Sequence, residues 1–214
     1  MTGTLKMTKL DAFTMRPYFY TYLVLMPIML LFAYIGSSDT LLYFTCSWFV
    51  ALTATNIFAI EDKNNLGRLY GTLSIRLTDI VRGRYLFVLL SYAVAATLVL
   101  LFSTGIALYH GNAVAWDNSL MGLGVSFLAF SLIVGIQIPL FFRLGYVKAK
   151  FVAMIPFLLM MLIVMIPSLT DVMSGIAAFA QKHPVSLGLG SLLAGVLFLV
   201  VSCRVAVAFY RKRR

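Results

Sequence analysis

The chain has 214 residues, of which 62% are hydrophobic and only 11% charged, with a net charge of +10 and a mean hydropathy of +0.98. That leaves too little polar surface to cover a water-soluble globule, so lipid is the expected solvent for most of the chain. Six spans of about 20 residues each would use roughly 120 residues, which excludes a separate soluble catalytic domain.

Apolar stretches run from Tyr18 to Ile35, Leu41 to Ile60, Tyr85 to Tyr109, Leu120 to Phe142, Phe151 to Leu169 and Leu187 to Phe209. Each is long enough to cross a bilayer as a helix. The expected fold is all-α: one polytopic transmembrane domain over residues 1–214 with six spans. The breaks are Gly36 to Asp39, the polar run from Glu61 to Arg84, Gly111-Asn112, Arg143 to Lys150, and a semi-apolar segment over 170–186 that ends at His183-Pro184 and Ser186. The first stretch contains Pro27 and lacks a small-x-small cleavage site, so it is expected to be a retained span rather than a signal peptide.

Orientation follows from the basic residues, which accumulate in cytoplasmic loops close to span ends. One side collects Lys6, Lys9 and Arg16, then Lys63, Arg68, Arg76, Arg82 and Arg84, then Arg143, Lys148 and Lys150, then Arg211 to Arg214. The other side holds Lys182, while Arg204 lies inside the sixth span, within snorkelling reach of the basic side. Both termini are therefore expected in the cytoplasm, with the chain in the cell membrane. Dispersal over four segments assigns these charges to topology and anionic lipid headgroups, and not to nucleic acid. Cys46 and Cys203 fall at different depths, beyond disulfide reach.

Between the second and third spans, Leu66, Leu69, Tyr70, Leu73, Leu77, Ile80 and Val81 recur at helical spacing. Arg68, Arg76, Asp79 and Arg82 stay off this stripe. An amphipathic helix on the membrane surface is one reading, and a docking element for a cytoplasmic partner is the other. In the second span, Thr45, Phe49, Thr53 and Asn56 share one helix face; in the fifth, Met154, Leu158, Met161 and Met165 do so. Each face suits either helix packing or an adaptable translocation path. Ser131 with Gly135, and Gly190 and Ala194 beside Ser191 and Gly195, offer small-residue faces for close helix contact, while Gln137 and Pro139 mark an expected kink.

The run Glu61-Asp62, Leu69-Tyr70, Leu73, Ile75, Asp79-Ile80-Val81, Gly83 and Tyr85 resembles the pattern that leads into the third span in permeases of the ABC-2 transporter family. Ser74 stands where that family usually has Pro, Arg76 where it has Ser, Leu77 where it has Arg, and Arg84 where it has Lys. The resemblance implies a type-2 exporter subunit that works as a homodimer or with a related permease. It also implies a coupling segment that seats on a separate ATP-binding cassette ATPase through Glu61, Asp62, Leu66, Leu69, Tyr70, Leu73, Ile75, Asp79, Ile80 and Val81. The sequence carries no G-x-x-x-x-G-K-[ST], so ATP and Mg are expected on the partner and no cofactor on this chain. In similar permeases the second and fifth spans line the path, and the segment before the first span is an interfacial helix. Thr8 to Arg16 fits that role, with Met7, Leu10 and Phe13 as its apolar side. The methionines hint at a peptide or another amphipathic cargo.

Catalysis is a poor fit. His110 and His183 are unaccompanied by a G-x-S-x-G or H-E-x-x-H motif, and Asp39, Asp117 and Asp171 read as loop residues rather than a metal site. The competing functions are a substrate-binding subunit of an importer and a non-transporting membrane scaffold.

Overall fold

The computed structural model describes residues 3–18, 27, 39–66, 70, 76–109, 116–156, 158–159 and 182–213. Among these the chain is helical throughout, in six helices: α1 (Gly3–Met15), α2 (Asp39–Lys63), α3 (Leu77–Tyr109), α4 (Trp116–Leu144), α5 (Tyr146–Val152) and α6 (Pro184–Arg213), with a 3-10 turn at Arg16–Tyr18. The stretches expected as the second, third, fourth and sixth spans are the cores of α2, α3, α4 and α6. Most of the first stretch, and the fifth beyond Leu159, lie outside the described residues.

Three helices are long and apolar enough to cross a membrane among the described residues: Leu77–Tyr109, Trp116–Leu144 and Pro184–Lys212. At about 1.5 Å per residue, the 33 residues of α3 extend about 50 Å, well past a hydrocarbon core of about 30 Å. The surplus of about 20 Å leaves room for the polar first two turns, Leu77 to Arg84, to extend beyond the hydrocarbon. Here the expected boundaries change: α2 continues through Glu61, Asp62 and Lys63, and α3 begins eight residues before Tyr85. Both ends of the segment expected over 61–84 thus belong to the flanking helices, because hydropathy falls before the backbone leaves the helix.

The helix ends have local causes. Asn65 takes a left-handed φ of 51°, which Asn tolerates better than most residues, and the Asn64 amide still reaches Ile60 at 3.0 Å. Gly145, at φ 78°, stops α4, its amide bonding the Phe141 carbonyl at 2.9 Å. Pro184 opens α6 at the position where a missing N–H costs nothing.

Helix α4 is the hub: 72% of its apolar window is buried, against 28% for α3 and 22% for α6. It packs along α6 on small residues. A Cβ on Gly188 would lie 2.9 Å from the Leu120 carbonyl oxygen, and one on Gly195 2.8 Å from the Phe127 ring. Gly124 meets Gly188 backbone to backbone at the same crossing. The Ser191/Gly195 face therefore makes this contact, while Gly190 faces open space and Ala194 is exposed. The outer faces of α3 (Leu90, Val94, Leu101) and α6 (Leu193, Leu197, Val201) stay exposed and apolar, as lipid requires.

Hydroxyl groups tie the interior together. Pro139 has no N–H for the Gly135 carbonyl one turn back, yet α4 runs on through it to Leu144. The Ser202 hydroxyl donates to that carbonyl at 2.6 Å, and the Tyr85 hydroxyl in turn donates to Ser202 Oγ at 2.6 Å. A second set joins the other helices: Ser47 donates to the Ser126 carbonyl at 2.8 Å, and the Tyr92 hydroxyl lies 2.7 Å from Ser126 Oγ.

Candidate functional site

The densest buried chemistry lies where α1 meets the overhang of α3. Residues Asp79 to Tyr85 all contribute except Arg82, which is exposed. Thr4 donates to Asp79 Oδ1 at 3.1 Å. Thr8 donates to the Gly83 carbonyl at 3.0 Å. Gly83 lets α1 approach: a Cβ there would stand 2.6 Å from the Met7 Cβ. Ile80 and Val81 are buried in the core, and Tyr85 reaches Ser202.

Arg84 is the centre of the cluster. Its side chain is 1% exposed, and Nη1 lies 2.6 Å from Glu61 Oε2 at the end of α2. Nε is 3.9 Å from Asp11 Oδ2 on α1, whose side chain is 2% exposed. At that distance Nη1 and Glu61 form a tight ion pair, although the contact is imperfectly aligned as a hydrogen bond. Aromatic faces complete the enclosure: Phe58 at 4.4 Å, Phe142 at 5.7 Å and Tyr70 at 5.8 Å from the guanidinium carbon. Such desolvated cation–π contacts contribute about 2 kcal/mol. Phe58 also stacks on Phe141 at 4.8 Å. One guanidinium thus gathers α1, α2, α3, α4 and Tyr70.

Burial raises the Asp11 carboxyl from 3.8 to about 6; Arg84 pulls it down and Glu61 pushes it up. Ion pairing and a raised carboxyl oppose one another here, and burial prevails because Arg84 sits closer to Glu61 than to Asp11. Burial likewise pushes the Tyr70 hydroxyl up to about 12.

The docking residues inferred from the sequence divide accordingly. Asp62 is exposed, and Glu61, Leu66 and Asp79 are half-buried. Tyr70, Ile80 and Val81 are 1%, 1% and 0% exposed, so the chain's own core covers them and they offer no surface to a partner. Leu69, Leu73 and Ile75 lie outside the described residues. On α2, Thr45 and Phe49 are half-buried and Asn56 is exposed, off the face that carries Cys46, Val50, Ala54 and Ile57 inward; the Thr53 side chain lies outside the description. Met154 and Leu158 are exposed, whereas Met161 and Met165 are not among the described residues.

A helix does precede the first apolar stretch, and of its expected apolar residues Met7 and Leu10 pack on the core while Phe13 does not. Met7, Thr8, Asp11 and Met15 face inward, while Phe13 is 59% exposed beside Lys9. Asp11, Phe58 and Phe142 did not stand out in the sequence, and Arg84 passed as one more topological cation. The available signal was Asp11 itself, an acid in an otherwise basic N-terminal segment. Among the described residues no group of His, Cys, Asp and Glu could hold a metal ion.

A family model described as ABC-2 family transporter protein matches residues 6–211. The chain belongs to the ABC-2 transporter family. No curated protein and no solved structure matches it. The family match spans α1 to α6, so the seat of α1 is part of the ABC-2 domain, and the chain is a membrane protein.

Proposed function

We propose that this ABC-2 protein is the permease subunit of an exporter, with six spans and both termini in the cytoplasm of the cell membrane. ATP and Mg are bound by a separate ATP-binding cassette ATPase, and a second permease, identical or related, completes the membrane core. The observation that carries this reading is the family match over nearly the whole chain, joined to a sequence without a phosphate-binding loop. The placement of basic residues supports the orientation. ATPase docking is assigned to the 64–76 segment and the polar groups beside it: Asp62, Arg76 and Arg82 are exposed, with Glu61, Leu66 and Asp79 partly so. The half-buried to exposed stripe of Thr45, Phe49 and Asn56, with Met154 and Leu158 exposed, supports a path shared with the second permease and an apolar or amphipathic cargo such as a peptide.

The test is purification in mild detergent from native membranes, followed by vanadate-sensitive ATPase assay. Wild type is expected to bring an ATPase with it. Asp62→Arg with Arg76→Glu is expected to release that ATPase while leaving the permease monodisperse. Wild type without any associated ATPase refutes the exporter reading.

A further inference from the structure

The cluster around Arg84 encloses one cation and two carboxylates. Glu61 takes the guanidinium at 2.6 Å, whereas Asp11 stands off at 3.9 Å. Among the described residues Asp11 Oδ2 has no hydrogen-bond partner. With both acids ionised, the enclosed group carries an unbalanced negative charge where little water reaches it, which is costly. One proton removes the imbalance. Asp11 is the acid to take it, because its side chain is 2% exposed while that of Glu61 is 21% exposed and already paired.

We infer that Asp11 is a proton-operated latch: a proton on its carboxyl tightens the seat of α1 on α3, and loss of that proton loosens it. Every neighbour bears on this assignment. From α2 the facing charge is Glu61; from α3 it is Arg84, with Asp79 further along receiving Thr4. Tyr70 stays neutral, its hydroxyl pushed up to about 12 by burial. Phe142 of α4 is uncharged, and Arg16, in the turn after α1, is exposed.

The sign follows from linkage. Seated, the Asp11 carboxyl is raised from 3.8 to about 6; lifted into water, it returns to the ordinary value. A group raised in the folded arrangement contributes stability that is fully present below the lower value and lost by the upper one. The seated-to-released ratio of α1 therefore rises by up to about tenfold per pH unit as pH falls through that window, and it is flat above it. The latch closes on acidification. It needs no ATPase, so its test is separate from that of the exporter reading.

Nitroxides are placed on the full chain at Lys9→Cys and Arg82→Cys, both exposed positions, in a Cys46→Ser/Cys203→Ser background reconstituted in phosphatidylcholine nanodiscs. Dipolar broadening between the labels is read from pH 4.5 to 8. The expected result is constant broadening above about pH 6 and an increase below it. Asp11→Asn is expected to show the full low-pH broadening at every pH. Glu61→Gln frees Arg84 for Asp11, so its response is expected to begin at lower pH. The latch is overturned by pH-independent broadening in the Asp11 protein, by a response that persists in Asp11→Asn, or by a Glu61→Gln response identical to that of the parent.

Discussion

Two glycines two residues apart in α6, on different faces of the helix, are expected to respond to alanine with opposite signs. A Cβ on Gly188 meets the Leu120 carbonyl oxygen at 2.9 Å and the Leu120 carbonyl carbon at 3.1 Å. Both are backbone atoms of α4, so relief requires the two helices to part by a few tenths of an ångström along their whole contact. Overpacking of this kind costs about 1–3 kcal/mol. Gly190 has nothing within 4 Å, and replacing an open helical glycine by alanine contributes about 1 kcal/mol of stability. The gap between Gly188→Ala and Gly190→Ala is thus about 2–4 kcal/mol. For a chain of this size each kcal/mol moves the melting temperature by about 2–4 °C. Thermal unfolding in dodecyl maltoside, followed by tryptophan fluorescence, should place Gly190→Ala above wild type and Gly188→Ala well below it. Equal melting temperatures for the two variants would refute the close crossing of α4 and α6.

Ser202→Ala leaves the Gly135 carbonyl and the Tyr85 hydroxyl without their shared partner and should cost about 1–3 kcal/mol, read in the same unfolding assay. Gly83→Val should detach α1, because even a Cβ stands 2.6 Å from Met7 Cβ; faster tryptic cleavage at Lys6 and Lys9 with unchanged membrane insertion is the expected signature. Arg84→Met strips the cation from two buried carboxylates and should cost about 3–5 kcal/mol at neutral pH, with part of the loss recovered in acid as Asp11 takes a proton. Asp11→Asn should raise the melting temperature at pH 7.5 and leave it nearly unchanged at pH 4, since the ionised carboxyl weakens the fold only above its ordinary 3.8.

The apolar runs were legible because lipid imposes a length and a composition that few other environments share, and the three described helices long and apolar enough to cross a membrane contain the stretches expected as the third, fourth and sixth spans. What covers a face was not legible. The stripe through Tyr70, Ile80 and Val81 has the same spacing whether a partner or the chain itself lies over it, and periodicity does not distinguish the two. Hydropathy likewise fails to mark a helix that continues past its apolar part, so Glu61 to Lys63 and Leu77 to Arg84 were assigned to a separate amphipathic segment rather than to the ends of α2 and α3. The Arg84 cluster draws on α1, α2, α3 and α4, and Arg84 is locally indistinguishable from a loop residue that obeys the positive-inside rule. The partner of the carbonyl that Pro139 frees was not legible either: the sequence shows the missing donor but not Ser202, which satisfies that carbonyl from another helix.

The pattern Asp79-Ile80-Val81-x-Gly83-Arg84-Tyr85, which suggested a docking motif, has an internal explanation at every fixed position. Asp79 accepts from Thr4, Ile80 and Val81 fill the core, Gly83 admits Met7, Arg84 gathers Glu61 and Asp11, and Tyr85 reaches Ser202. These residues share one continuous helix with the apolar part of α3. A helix resists bending because each bend stretches or breaks backbone hydrogen bonds, and α3 has no interior proline at which to kink. A displacement applied at its first turn is therefore carried as a rod into the apolar region, and α1 is clamped to the same turns. A partner acting on the exposed 62–65 turn or on Arg76 and Arg82 would in this way move α1 and α3 together. The side chain that must survive such a movement is Arg84, since it meets α1, α2 and α4 at once.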